Sequence, residues 1–316
     1  MNAFPFRPDQ KLTEVLAQHR FTLSAEIIPP RNGAEQLKVL NQIKALVDAG
    51  AEFLAVTKGA GGSLRGGSLP IAQAVKESFN RPCIAHFTCR DLTAHEVENQ
   101  LIDHHYFGIR NILALRGDPP DGQVGWQPRE GGHSFAHQLI GQIRQLNQGV
   151  YLPRPGGPAG GSEKTDFCIG AAVYPEHPNE EERLRYFKLK VDAGAEYGIT
   201  DMLFDPDAYA RFMDLCGGAG LSVPVIPGTR LLKTRGQAER MAQKFRVSVP
   251  KDVVEALQVE DGPDAIARGL EIFMKLVERL KALGAPGIHL FVISDTVGAQ
   301  AALARLASEK KRDRTS

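Results

Sequence analysis

The amino-acid sequence predicts a single (β/α)8 barrel. Apolar strand-like runs alternate with helical periods eight times along its 316 residues. The units are spaced mostly by roughly 25–35 residues, enough for one strand, one helix and two short connections. A heptapeptide at one helix–strand junction also returns four units later. The alternation leaves an open doubly wound sheet as the competing arrangement, because strand order cannot be read from sequence.

The first strand is expected at 21–28 (FTLSAEII), followed by a helix over 34–49. In that helix Leu37, Leu40, Ile43 and Val47 fall on one face at helical spacing. Strand and helix then pair at 53–58 with 71–79, 83–89 with 94–106, and 111–118 with 135–146. The second half repeats the pattern at 167–175 with 181–193, 198–204 with 208–216, 223–227 with 236–244, and 287–294 with 297–308. An extra helical stretch spans 253–283. An N-terminal arm with a helix occupies 1–20, the barrel fills 21–308, and a charged, frayed tail closes the chain at 309–316. Val47-Asp-Ala-Gly-Ala-Glu-Phe53 recurs as Val191-Asp-Ala-Gly-Ala-Glu-Tyr197, ahead of strands two and six, where two half-barrels would place it. The alternative is convergence of helix ends on a terminating glycine.

Composition narrows the function. With 38 basic and 37 acidic side chains the net charge is +1, so no bulk field gathers nucleic acid or anionic lipid. No charge-free apolar run approaches the length of a membrane helix, and residues 1–11 lack the apolar segment of a secretory signal. The four cysteines are scattered, which fits a reduced, soluble, cytoplasmic protein. The glycine-rich run 59–67 (GAGGSLRGG) follows strand two and so belongs to the catalytic face, while 153–161 (PRPGGPAGG) reads as a surface insertion. Neither matches a dinucleotide or mononucleotide phosphate loop.

Barrel chemistry gathers at the C-terminal ends of strands. Those ends carry Glu26, Thr57-Lys58, His86-Thr88-Cys89, Arg116-Gly117-Asp118, Tyr174-Glu176-His177, Asp201, Gly228-Thr229 and Ser294-Asp295. Glu26 interrupts an otherwise apolar strand. Burial there would raise its pKa toward general-acid duty, unless a basic neighbour pairs with it. Arg116 offers a bidentate fork for phosphate or carboxylate, although a turn with a local ion pair explains the tripeptide equally well. His86 reads first as a core histidine, and His177, between prolines, as a residue of an exposed rigid loop. The His and Cys spacing holds no metal set.

Taken together, AEIIPPR around Glu26, Val56-Thr57, Ala85-His-Phe-Thr-Cys89, Ile112-Leu-Ala-Leu-Arg-Gly-Asp118, Ala172-Val-Tyr-Pro-Glu176, Leu189-Lys-Val-Asp-Ala-Gly-Ala195, Ile199-Thr200 and Val225-Ile-Pro-Gly228 resemble the 5,10-methylenetetrahydrofolate reductase family. The match runs in order over about residues 20–295. It implies a barrel with FAD held non-covalently, which passes a hydride between a nicotinamide donor and the folate. By the resemblance Glu26 is the general acid on the folate and Asp118 contacts the pterin near the flavin. Thr57, Ala60, His86, Arg116, Gly117, Asp118, Phe135, Ala136, Ala172, Tyr174, His177 and Lys190 would line FAD. Glu26, Asp118, Asp201, Gln237, Met241 and Asp295 would face the substrates, 5,10-methylene- or 5-methyltetrahydrofolate and NAD(P)H or another electron donor. A homo-oligomer is left open.

The departures fall on that second face. Asp201 stands where the family pattern has Gln, Met241 where it has Phe, Asp295 where it has Arg, and Phe135 where it has Tyr. Arg183 and Tyr186 occupy positions of acidic and amide residues, over a segment three residues short. An added negative charge at Asp201 would exchange an amide donor for an acceptor, so NADH use is expected to be atypical or weak, or the reaction to run oxidatively. The competing readings are a flavin-free pterin-binding barrel such as a folate-dependent methyltransferase, a non-enzymatic folate-binding barrel, and a Schiff-base aldolase using Lys58.

Overall fold

A computed structural model describes residues 5–18, 20–30, 33–63, 66–119, 127–153, 157, 163–293 and 295–312. Eight parallel strands close into a barrel in chain order: β1 (Thr22–Ile27), β2 (Phe53–Val56), β3 (Cys83–Thr88), β4 (Asn111–Leu115), β5 (Cys168–Val173), β6 (Tyr197–Met202), β7 (Val225–Thr229) and β8 (Gly287–Leu290). β8 returns to β1 with Ser24 opposite His289, so the open-sheet alternative falls. Around the strands run α2 (Gln36–Asp48), α3 (Ser68–Ser78), α4 (Ala94–Tyr106), α5 (Ala136–Asn147), α6 (Glu180–Ala193), α7 (Pro206–Gly218), α8 (Arg235–Phe245), α9 (Lys251–Ala256), α10 (Pro263–Ala282) and α11 (Thr296–Arg312), with a short α1 (Leu12–Leu16) ahead of β1. Among the described residues no helix is long and apolar enough to cross a membrane.

Period-two alternation sorts the strand side chains into two cores. Leu23, Ala25, Ile27, Leu54, Val56, Ala85 and Phe87 face outward into the layer beneath the helices. Phe53, Ala55, Ile84, Leu113, Cys168, Tyr197, Ile199 and Ile226 fill the barrel interior together with Leu12 and Leu16 of α1. Helix α1 therefore seals the end where the strands begin. Its Leu12 N–H donates to Asn111 Oδ1 at 2.6 Å, and Asn111 Nδ2 reaches Asp9 and the Gln10 carbonyl. Gly170 is required in this layer: a Cβ there would stand 2.3 Å from the Tyr197 ring.

The repeated heptapeptide has matching roles in both halves. Glu52 Oε2 accepts from Leu23 N, and Glu196 Oε2 accepts from Ile169 N, each at 2.9 Å. Gly50 and Gly194 both take positive φ, 114° and 125°. Each copy thus stitches a helix end to the start of the preceding strand. Most strands are a residue or more shorter than expected, and three differences have a clear cause. β4 stops at Leu115, because Gly117 turns the chain with φ +96°. The 253–283 stretch is two helices, broken before Pro263, which begins α10. Helix α11 continues into the charged tail as far as Arg312. Most of the expected 153–161 insertion and residues 313–316 lie outside the described residues.

Candidate active site

Glu26 is the penultimate residue of β1 and shares the inward face with Ser24. Its side chain is buried, 7% exposed, and makes no hydrogen bond or ion pair among the described residues. Burial alone lifts its carboxyl from 4.5 to about 8. The paired, structural carboxylate that the sequence left open is therefore not what forms. Around it the upper barrel presents other polar groups without partners: Thr57 Oγ1 and His86 Nε2, both buried. His86 is neutral, its pKa pushed down to about 4 by burial. Beneath it His289, pushed to about 3, meets the Ser24 hydroxyl through Nδ1 at 2.9 Å.

The second concentration is the turn after β4. Asp118 Oδ2 accepts from Gly61 N at 3.1 Å, joining this turn to the glycine turn after β2. Arg90, just past β3, donates Nη1 to the carbonyls of Gly62 (3.1 Å) and Asp118 (2.5 Å) and locks the two turns together. Gly117 is needed there, since a Cβ would lie 2.9 Å from Arg90 Cβ and 3.3 Å from Thr88 Cβ. Ala60 lies in the glycine turn. Arg116 and Asp118 are exposed, leaving a fork and a carboxylate at the mouth.

Across the mouth, Lys190 on α6 donates Nζ to the Ala172 carbonyl at 2.7 Å and sits 5.2 Å from the Tyr174 ring centroid. Burial lowers its pKa to about 8. Tyr174 is 45% exposed and lies in electrostatic reach of Asp201, Asp118 and Arg116, so strands four, five and six converge there. Phe135 is 46% exposed, stacks with His137, and precedes Ala136 at the start of α5. His177 turns edge-on to Tyr186, and its carbonyl accepts twice from Arg183, at 2.7 and 3.2 Å.

Asp201 sits where β6 and β7 lose register between Ile199 and Met202. There the Thr200 hydroxyl accepts from Gly228 N in place of a ladder carbonyl, an irregularity of the kind that re-aims side chains near sites. Asp201 Oδ1 is buried without a partner, as is Glu176 Oε2, and the two carboxyls repel. Burial first and Glu176 second raise Asp201 to about 8. This corrects the expected negative charge: at neutral pH Asp201 is a carboxylic acid, which retains an O–H donor.

The remaining substrate-side candidates have structural ties. Gln237 Oε1 accepts from Lys233 N at the start of α8, and Met241 Sδ faces Arg230 Nη1 at 3.8 Å. Asp295 caps α11 through Gly298 N and pairs with Lys233 at 3.4 Å. Lys58 is directed away from the interior, to Gln100 on α4 at 2.7 Å and over the outward-facing Phe87 ring, so the Schiff-base reading loses its nucleophile. Among the described residues no group of His, Cys, Asp and Glu could hold a metal ion.

The family profile described as Methylenetetrahydrofolate reductase matches residues 11–306. The chain belongs to the methylenetetrahydrofolate reductase family. The 5,10-methylenetetrahydrofolate reductase of Escherichia coli is 31% identical over 295 residues, covering 90% of each chain. Methylenetetrahydrofolate reductase (NADH) 1 of Arabidopsis thaliana is 30% identical over 301 residues, 90% of this chain but 48% of that one, so the chain spans about half the length of such relatives. Among solved structures, an uncharacterized protein from Clostridium thermocellum that binds two copies of 5-methyl-5,6,7,8-tetrahydrofolic acid aligns over 95% of this chain and 99% of its own. Its TM-score is 0.57 at 16% identity, a likeness of fold.

Three residues of this methylenetetrahydrofolate reductase family barrel escaped sequence reasoning. Arg90 was not singled out, although its position directly after a strand was a usable signal. Ser24 and His289 alternate inward, but only barrel closure brings them together.

Proposed function

We propose that the chain is a flavin-dependent 5,10-methylenetetrahydrofolate reductase, interconverting 5,10-methylene- and 5-methyltetrahydrofolate. The observation that carries the reading is Glu26, a buried carboxyl with no partner, held protonated at neutral pH at the inner rim of the barrel. Such a group has a proton to give and no structural duty to give it to. The bridged folate needs one at the nitrogen that leaves the methylene carbon, and this opens the five-membered ring to an electrophilic iminium.

The residues present also fit FAD. Thr57 Oγ1 and His86 Nε2 are buried polar atoms awaiting partners. Gly117 clears space beside Thr88 and Arg90, while Tyr174 and Phe135 offer exposed rings. Arg116 and Lys190 would meet the phosphates and ribityl chain, and Ala60, Ala136, Ala172 and His177 would complete the cradle. When bound, the flavin supplies hydride transfer. The chain's own part is to keep Glu26 protonated, to hold Asp118 at the pterin through Gly61 and Arg90, and to present Asp201 to whichever substrate occupies the mouth. As an acid, Asp201 donates a hydrogen bond as an amide would, so nicotinamide use is atypical in its pH dependence: it operates at neutral pH and fails as Asp201 ionises. Gln237, Met241 and Asp295 flank that face. The reaction belongs to soluble one-carbon metabolism supplying methyl groups for methionine, in the cytoplasm.

Anaerobic titration of the purified yellow protein with NADH, NADPH and 5-methyltetrahydrofolate, each alone, tests the reading. Bleaching of the flavin band by a nicotinamide and by the methylated folate is the expected result. A colourless preparation that still binds folate would refute it in favour of a flavin-free pterin barrel.

A further inference from the structure

A cavity of about 480 Å³ opens between the start of α7, helix α9 and helix α10. Phe204 and Leu232 at the strand ends, Val253 on α9, and Ile272, Phe273 and Leu276 on α10 supply its apolar walls. Among the charged groups that line it, Arg230 alone is buried, 7% exposed. Arg230 follows β7, and its Nε is buried without an acceptor. Its Nη1 meets only the Met241 sulfur, at 3.8 Å, a soft and weak acceptor. The carboxylate in electrostatic reach is Asp295, which already caps α11 and faces Lys233. A buried guanidinium whose fork holds no oxygen is costly to keep, and an oxyanion in the cavity would remove that cost.

We propose that this cavity is a second ligand site, taking a small monocarboxylate with an apolar body. The planar carboxylate matches the Arg230 fork, and the body lies against Leu232, Ile272 and Phe273. Asp205, Asp207 and Asp252 line the cavity together with Arg268, Lys275 and Arg279, and Arg279 pairs with Asp207 at 3.4 Å. These outer charges largely offset one another, so the flat Arg230 fork, and not a net field, selects a planar carboxylate. The volume falls in the range of small-molecule sites. Glu26 is not among the lining residues; Arg230 reaches Met241 at the edge of the substrate face, and the site does not depend on the folate reading.

Calorimetric titration of the full-length protein, with any bound flavin retained, compares 4-phenylbutyrate with its neutral amide, 4-phenylbutyramide. One equivalent of the acid should bind, about tenfold or more tightly than the amide, the ratio that a charge-assisted fork supplies. Arg230→Gln should reduce that ratio to about one. Ile272→Trp, which fills the cavity, should abolish binding of both while leaving the circular dichroism melt intact. Saturation with 5-methyltetrahydrofolate should leave acid binding unchanged. Absence of acid binding, equal affinity for acid and amide, indifference to Ile272→Trp, or displacement by the folate would each overturn the proposal. If Arg230→Gln fails to fold, the wild-type ratio and Ile272→Trp decide it.

Discussion

Replacing Glu26 with Gln isolates the proton that burial keeps on this side chain. The carboxyl titrates near 4.5 when unfolded and near 8 in the barrel. Between those values the fold holds a proton that the unfolded chain has released, so the wild-type contribution is fully present below 4.5 and is lost as pH rises toward 8. At pH 7 this amounts to about 3 kcal/mol, and to about 5 kcal/mol once pH exceeds 8, at roughly 1.4 kcal/mol per pH unit. A glutamine carries no such dependence, and the fixed cost of its partnerless amide is the same at every pH. Urea unfolding of both proteins at pH 5, 7 and 8.5 should show the stability difference moving in favour of E26Q by about 4 kcal/mol across the range. Folate turnover should fall by about 10²–10⁴-fold, while flavin reduction by a nicotinamide stays within about threefold of wild type, a factor worth only ~0.7 kcal/mol in the barrier. A pH-independent stability difference would mean that Glu26 is ionised and solvated. Retained turnover would mean that the proton comes from elsewhere.

Three further outcomes are expected. Stopped-flow flavin reduction by NADH should decline above about pH 8 as Asp201 ionises beside Glu176, and Asp201→Asn should abolish that decline; an unchanged profile would remove Asp201 from the nicotinamide face. Gly117→Ala places a Cβ against Arg90 and Thr88 at φ +96°, costing about 1–3 kcal/mol and weakening flavin retention by about tenfold or more, read from the flavin fluorescence released on dilution. Asn111→Leu removes the acceptor of Leu12 N and the donor to Asp9, costing about 2–4 kcal/mol. Hydrogen exchange should then quicken over residues 9–16 and leave β5 and β6 protected.

Much of the barrel was legible because each strand breaks the helical period with a short apolar run, and helix α4 falls at the expected 94–106, where a Thr93–Glu96 capping box starts it. The end of β4 ran too long because Gly117 takes positive φ, a backbone choice that apolar character does not announce, and β8 ran too long because its pairing with β7 ends at Leu290 opposite Thr229. Glu26 was legible as an anomaly, a carboxyl in an apolar strand. Its isolation was not, since only the closed barrel reveals that no cation arrives. Asp201 was misjudged for the same reason: its protonation depends first on burial in the closed barrel and then on Glu176, which lies beyond a different strand and accepts from Ser248 N. Arg230 was not singled out from the sequence, because the residues that surround it, Met241 on α8 and the α10 wall of the cavity, lie farther along the chain.

The plug formed by α1 has a kinetic consequence. With Leu12 and Leu16 packed into the strand starts, the barrel is open at one end only. Everything that reaches Glu26 shares a single doorway with everything that leaves it. On the proposed reductase reading, folate and nicotinamide touch the same inner rim and take turns, so double-reciprocal plots at several concentrations of the second substrate should run parallel, without a common intersection.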